Sequence, residues 1–127
     1  AGERDVVVVM EGVSMYLHPA QWQQTAQALR QCLPGHLLLC DLLDATFSRR
    51  YSRRLRKAIR EIGGAFAPAL DDPAAMVTGL GYRQRTATSI VGSAVDAGAL
   101  RIPRWLLNSL LRSLRDGYRV CTFDALP

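Results

Sequence analysis

VVVVMEGVSMYL, Val6–Leu17, decides the fold. Five apolar residues, four of them β-branched, lead straight into a carboxylate, a glycine and a Tyr-Leu pair. An apolar run this short, without polar alternation, suits a strand buried on both faces, as in a parallel α/β sheet. Glu11 and Gly12 then fall where the strand ends, and in open α/β sheets ligands bind at the carboxyl ends of the strands. Position alone leaves two readings of Glu11: a ligand-facing carboxylate or an ordinary polar strand end.

Upstream, Ala1–Asp5 is a polar lead-in. Downstream, Pro19 suits the first turn of a helix, and Trp22, Ala26, Leu29 and Leu33 give it one apolar face. Pro34-Gly35 stops that helix. His36–Leu43 is a second apolar run with Asp41 inside it. Strand, helix and strand make a βαβ unit with parallel strands and a right-handed crossover. Asp41 either faces the cleft at the strand end or caps the next helix, a role for which Asp44 competes.

The segment that follows, ATFSRRYSRRLRKAIREIGG, places Phe47, Tyr51, Leu55, Ile59 and Ile62 on one helical stripe, ended by Gly63-Gly64. Arg49, Arg50, Arg53, Arg54, Arg56 and Arg60 lie mostly off that stripe. They read first as the solvated face of an amphipathic helix, then as an anionic-substrate or lid element. Nucleic acid is the weakest reading, because no interleaved aromatic platform accompanies the charges.

Ala65–Ala69 is a loop, and Asp72 caps a short helix that starts at Pro73 and ends near Gly79. Tyr82–Val91 has strand-like residues, and Gly92–Gly98 is a small-residue connection. Ile102, Trp105, Leu106, Leu110, Leu111 and Leu114 form a broad helical face. Asp116-Gly117 then turns the chain into a last strand, Tyr118–Ala125.

The 127 residues, 49% of them hydrophobic, can bury one core. No apolar stretch reaches the ~18–20 residues that span a bilayer, and no signal peptide precedes the first strand, so a cytoplasmic chain is expected. Cys32, Cys40 and Cys121, an odd number in apolar contexts, suggest buried thiols rather than a disulfide framework. Neither His18 nor His36 flanks a cysteine at zinc spacing, so no metal is expected. No Ser-His-Asp or Cys-His arrangement supports a hydrolase. The net charge of +5 is carried by arginine, with Lys57 the only lysine.

EGVSMYL, a Pro-started helix and LPGHLLLCDLL together resemble the leucine carboxyl methyltransferase-like family of S-adenosylmethionine-dependent O-methyltransferases, which includes polyketide O-methyltransferases. The matching positions are Glu11, Gly12, Tyr16, Leu17 and Asp41. The resemblance implies an α/β fold, the C-terminal half of a Rossmann-like methyltransferase, with a mixed sheet and helices on both faces. In that half, which runs from the fold's fourth strand to its seventh, the last two strands form an antiparallel pair and the final strand is inserted between the fifth and sixth. Tyr82–Val91 and Tyr118–Ala125 would be that pair, joined by the Trp105 helix.

The family's glycine-rich cofactor loop and its ribose-binding acid have no counterpart here. Gly79-Leu80-Gly81 precedes a strand instead of following one. Residues 1–127 therefore read as a single domain that is the C-terminal part of a methyltransferase, without the N-terminal S-adenosylmethionine-binding half.

By the same resemblance Glu11 and Gly12 would meet the cofactor, and Glu11 and Tyr16 would serve catalysis. Tyr16 and Asp41 would meet a small-molecule acceptor through its hydroxyl or carboxyl, although plain packing explains Tyr16 equally well. The chain alone is expected neither to hold S-adenosylmethionine nor to turn over. Its bared Val6–Met10 edge should self-associate, most simply as a dimer. The competing reading is a non-enzymatic basic module that binds an anionic partner through Arg49–Arg60.

Overall fold

The computed structural model describes residues 6–127. Its core is a four-stranded mixed sheet of order β1-β2-β4-β3. β1 is Val7–Met10, β2 Leu37–Leu43, β3 Tyr82–Ser89 and β4 Tyr118–Ala125. β1 and β2 run parallel, whereas β4 is antiparallel to both of its neighbours. The last strand is thus inserted between the second and third, as expected for the reversed end of a Rossmann-like methyltransferase sheet. The first βαβ unit closes through α1, Pro19–Cys32.

The main core is built on one face of this sheet. Leu38, Cys40 and Leu42 of β2 alternate inward, as the twofold period of a strand requires. They pack with Met10, Cys121 and Phe123, under Trp22 and Ala26 of α1 and Ala74 and Val77 of α4, Pro73–Thr78. Asp72 caps α4 by accepting from the Ala75 N–H at 3.0 Å. Beside this cluster His36 is buried between the Leu33 carbonyl, 2.8 Å from Nδ1, and the Tyr82 hydroxyl, 3.0 Å from Nε2.

Five expectations need correction. β1 is buried on one face only: Val7 and Val9 are 51% and 59% exposed. Cys32 is exposed, and only Cys40 and Cys121 are buried thiols.

The arginine-rich helix is two helices, α2 (Ala45–Tyr51) and α3 (Arg53–Glu61). They part at Ser52, whose buried hydroxyl donates back to the Ser48 carbonyl at 2.7 Å. Such back-bonding competes with the helical ladder. The apolar stripe stops packing at the break. Phe47 and Tyr51 pack against one another with tilted rings, while Leu55 and Ile62 are 54% and 82% exposed.

The connection after β3 is also broken differently. Ile90 and Val91, expected in the strand, and Gly92–Asp96, expected in a small-residue connection, form α5, Ile90–Asp96, because the Ser89 hydroxyl caps it by accepting from the Gly92 N–H at 2.9 Å. The single Trp105 helix is replaced by α6 (Arg104–Leu107) and α7 (Arg112–Asp116). Leu107 is fully buried, whereas Trp105 and Leu110 are 69% and 78% exposed. A 3.6-residue period holds only along an unbroken helix, and the chain leaves helical geometry after Leu107.

Candidate functional site

β1 ends at Met10, and the chain turns at Gly12, whose φ of +68° lies in the left-handed region that favours glycine. The Gly12 N–H points at the next strand and donates to Asp41 Oδ1 at 3.0 Å. Asp41 alternates with Cys40 and Leu42, so its side chain lies on the sheet face opposite the main core. Its second oxygen, Oδ2, accepts from the Tyr118 hydroxyl at 2.7 Å. Its main-chain carbonyl accepts from the hydroxyl of Ser14 in the 3-10 turn Ser14–Tyr16. One nearly buried carboxylate residue therefore fastens the exit of β1, the turn that follows and the start of β4.

Asp41 does not cap a helix. Asp44 does, accepting from the Phe47 N–H at 2.8 Å to start α2. Glu11 is exposed beside Gly12, and its charge is among those that act on Tyr118. Tyr16 is 40% exposed at the end of the 3-10 turn. Its ring meets Phe66 edge-on, with centroids 5.2 Å apart and planes at 74°. Glu11, Gly12, Asp41 and Tyr118 thus share one end of the sheet. Tyr16 stands one turn further on, facing the loop of residues 65–69. That loop is tied to the turn by the Ala67 N–H, which donates to the Met15 carbonyl at 2.9 Å.

Tyr118 and Phe66 were not among the residues singled out from the sequence. Tyr118 is the first residue of β4, and its register partner is Leu43 at the end of β2. Inserting an antiparallel last strand beside β2 brings its first residue to the same sheet end as Glu11, so the expected topology already held this signal. Phe66 was visible only as the single aromatic in a loop of small residues.

The Tyr118 phenol is pushed well above its ordinary range. Burial contributes most, then the hydrogen bond to Asp41, then the charges of Asp41 and Glu11. It stays a protonated donor, so it orients Asp41 and does not serve as a base. Behind the site an apolar hollow is lined by Ser14, Leu17, Trp22, Leu70 and Met76.

The described residues do not make up a whole site for S-adenosylmethionine. Glu11 offers an exposed carboxylate to a cationic amino group. No glycine-rich turn follows either β1 or β2 to receive the remainder. No three metal-ligating side chains converge among the described residues. No helix there is long and apolar enough to cross a membrane.

No protein-family model matches the chain, and no curated protein does. Among solved structures it is similar to the crystal structure of a DUF574 family protein from Streptomyces avermitilis MA-4680, at 10% identity and a TM-score of 0.62. The superposition covers 98% of this chain and 45% of that one, so the chain spans less than half the length of this neighbour. At that identity the likeness is one of fold alone: a mixed α/β architecture.

Proposed function

We propose that this chain is the acceptor-side part of an S-adenosylmethionine-dependent O-methyltransferase. Its substrate would be a small molecule methylated on a hydroxyl or carboxyl. The observation that carries this reading is the gathering of Glu11, Gly12, Asp41 and Tyr118 at the carboxyl ends of β1 and β2. The resemblance of Glu11, Gly12, Tyr16 and Asp41 to the leucine carboxyl methyltransferase-like pattern supports it, as does the fold of the solved neighbour.

When bound, the cofactor supplies an electrophilic methyl group. What this chain contributes is position and charge. Methyl transfer needs the acceptor oxygen held in line with the methyl, and an un-ionised hydroxyl also needs a proton acceptor. Glu11 is the exposed carboxylate at the site, able to hold a cationic amino group or to accept that proton. Tyr16 borders the acceptor side and presents a phenol as donor. Asp41 has both carboxylate oxygens engaged, so it acts by fixing the Gly12 turn and Tyr118.

The test is Glu11→Gln in a chain that also carries the cofactor-binding half. A charge-assisted hydrogen bond is worth about 1.5–3 kcal/mol, so turnover should fall about ten- to a hundredfold. Arg101→Gln, on an exposed residue far along the chain, should stay within about twofold. Equal, small effects would return Glu11 to a structural role. For the 127-residue chain alone, calorimetry should register no binding of S-adenosylmethionine in the submillimolar range. Micromolar binding would show that the chain needs no second half.

A further inference from the structure

Arg53, Arg56 and Arg60 recur at steps of three and four, which puts them on one face of α3. With Ala65 and Phe66 they line a hollow beside the loop of residues 65–69. Arg49, Arg56 and Phe66 line a second hollow, and Arg56 and Phe66 are common to both. The two adjoin at Arg56 and Phe66. Three arginines and one flat apolar wall therefore surround the first depression, and a fourth arginine stands beside it.

These arginines have no acidic partner within ion-pair distance among the described residues. Among the described residues the ion pairs engage Arg83, Arg85, Arg104 and Arg115, never Arg49, Arg53, Arg56 or Arg60. Like charges three and four residues apart on a helix repel. Arg56 is also partly buried, and its Nε is covered yet donates to no protein group among the described residues. A buried donor without an acceptor is a cost that the fold carries at this residue.

A merely solvated face explains neither the burial of Nε nor the aromatic wall. The wall is anchored at both ends of its loop. The Ala67 N–H donates to the Met15 carbonyl at 2.9 Å, and the Ala45 N–H to the Leu70 carbonyl at 2.8 Å. Phe66 is further held by Tyr16, which joins this depression to the end of the sheet.

We propose that the depression binds the oxyanion, carboxylate or phosphate, of a small molecule whose flat apolar body lies against Phe66. This molecule is the methyl acceptor. That last assignment rests on the reaction proposed above, whereas the binding does not. Planar guanidinium forks match both oxyanions in bidentate geometry, and a ring beside them supplies apolar area and orientation.

The experiment is a titration of the isotope-labelled 127-residue chain with phenyl phosphate, benzoate, inorganic phosphate and benzyl alcohol, read at the arginine Nε–H and backbone amide resonances. Phenyl phosphate or benzoate should move Arg56 Nε–H and Phe66 together and bind at least fivefold more tightly than inorganic phosphate. Which of the two binds better identifies the oxyanion. Benzyl alcohol should not bind. Arg56→Gln should weaken the better ligand at least tenfold, Phe66→Leu should erase its advantage over inorganic phosphate, and Arg101→Gln should change it less than twofold.

Since α3 buries none of its residues, Phe66 is only half-buried and Arg101 is exposed, these variants should fold, and the titration of the unaltered chain decides the matter in any case. Shifts spread evenly over all arginines would overturn the proposal, as would equal binding of inorganic and phenyl phosphate. So would displacement of either by a thymidine oligonucleotide that binds more tightly with a steep salt dependence, the mark of a nucleic-acid surface. No methyl donor enters the titration. Its failure removes this pocket alone, and failure of the Glu11→Gln assay removes the reaction alone.

Discussion

Asp41 shows how one side chain organises the site. Both carboxylate oxygens are occupied, by the Gly12 N–H and the Tyr118 hydroxyl, and both donors lose their partner if the carboxylate is removed. Leaving a buried donor unpaired costs about 1–3 kcal/mol each, so Asp41→Ala should lower unfolding stability by at least about 2 kcal/mol. Tyr118→Phe, which strips one bond, should cost about 1 kcal/mol. Urea unfolding of both variants checks the order, and an Asp41→Ala chain as stable as the parent would mean the network is not formed. The same neighbourhood fixes a pH response. Cys40 is pushed up to about 12 by burial and then by Cys121 and Asp41, and Tyr118, Tyr82 and Cys121 are also raised, each chiefly by burial. A group whose pKa is higher in the fold than in the unfolded chain stabilises fully below its unfolded value and loses that contribution as pH rises. The ordinary values are 9.0 for the thiols and 10.0 for the phenols, so this contribution should hold up to about pH 9 and decline above it. A urea midpoint that is the same at pH 8 and pH 10.5 would contradict the burial of these groups, and Tyr118→Phe should flatten the decline.

At the scale of elements, legibility followed continuity. β1, β2 and α1 were readable because each carries its own complete pattern: an apolar run with a stop, or a face with Pro at one end and Pro-Gly at the other, whereas β3 was legible only from its strand-like residues. Asp72-Pro73 announced α4 in the same way. The segments misread were those in which one periodic pattern runs across a local break. Ser52 interrupts the arginine-rich stretch through a side-chain bond that no periodicity reports. After β3, the Ser89 cap starts a helix among residues whose small size suggested a loop. The candidate site was half legible: Glu11, Gly12 and Asp41 are local to strand ends, but Tyr118 reaches them only through the register of β4 against β2. The break after Leu107 has a measurable consequence. Burial falls on Leu107, outside the six-residue apolar face that period suggested, and leaves Trp105 in solvent. Leu107→Ala should therefore cost about 2–5 kcal/mol, and Trp105→Ala should stay within about 0.5 kcal/mol. Thermal unfolding of the two variants decides the register, and the reverse order would restore the single helix.

For the whole molecule the two sheet edges differ in a way that bears on assembly. β3 ends one side, and it is guarded: Arg83, Gln84, Arg85 and Thr86 are exposed along it, Arg83 and Arg85 reach Asp124, and the register shifts between Gln84 and Thr86. Charges and bulges of this kind discourage edge-to-edge pairing. β1 ends the other side with no such device. Among the described residues it pairs only with β2, it bears no charge, and Val7 and Val9 expose one apolar face beside the open row of N–H and C=O groups. In a longer chain that edge would be taken by a further strand and that face by helices, which accords with the 45% of the solved neighbour that this chain spans. For the chain by itself we propose that a second copy takes their place. Light scattering coupled to gel filtration should then give about twice the 14.0 kDa of one chain. Val9→Lys is the sharper probe, because Val9 is exposed and a lysine there should leave the fold intact while setting a charge on the edge. It should return the particle to the mass of a single chain, whereas Arg83→Ala, on the opposite edge, should not. A parent chain that is monomeric while the amides of Val7 to Met10 exchange slowly would mean the edge is already covered within one chain, and the strand order β1-β2-β4-β3 would have to be extended by another element on that side.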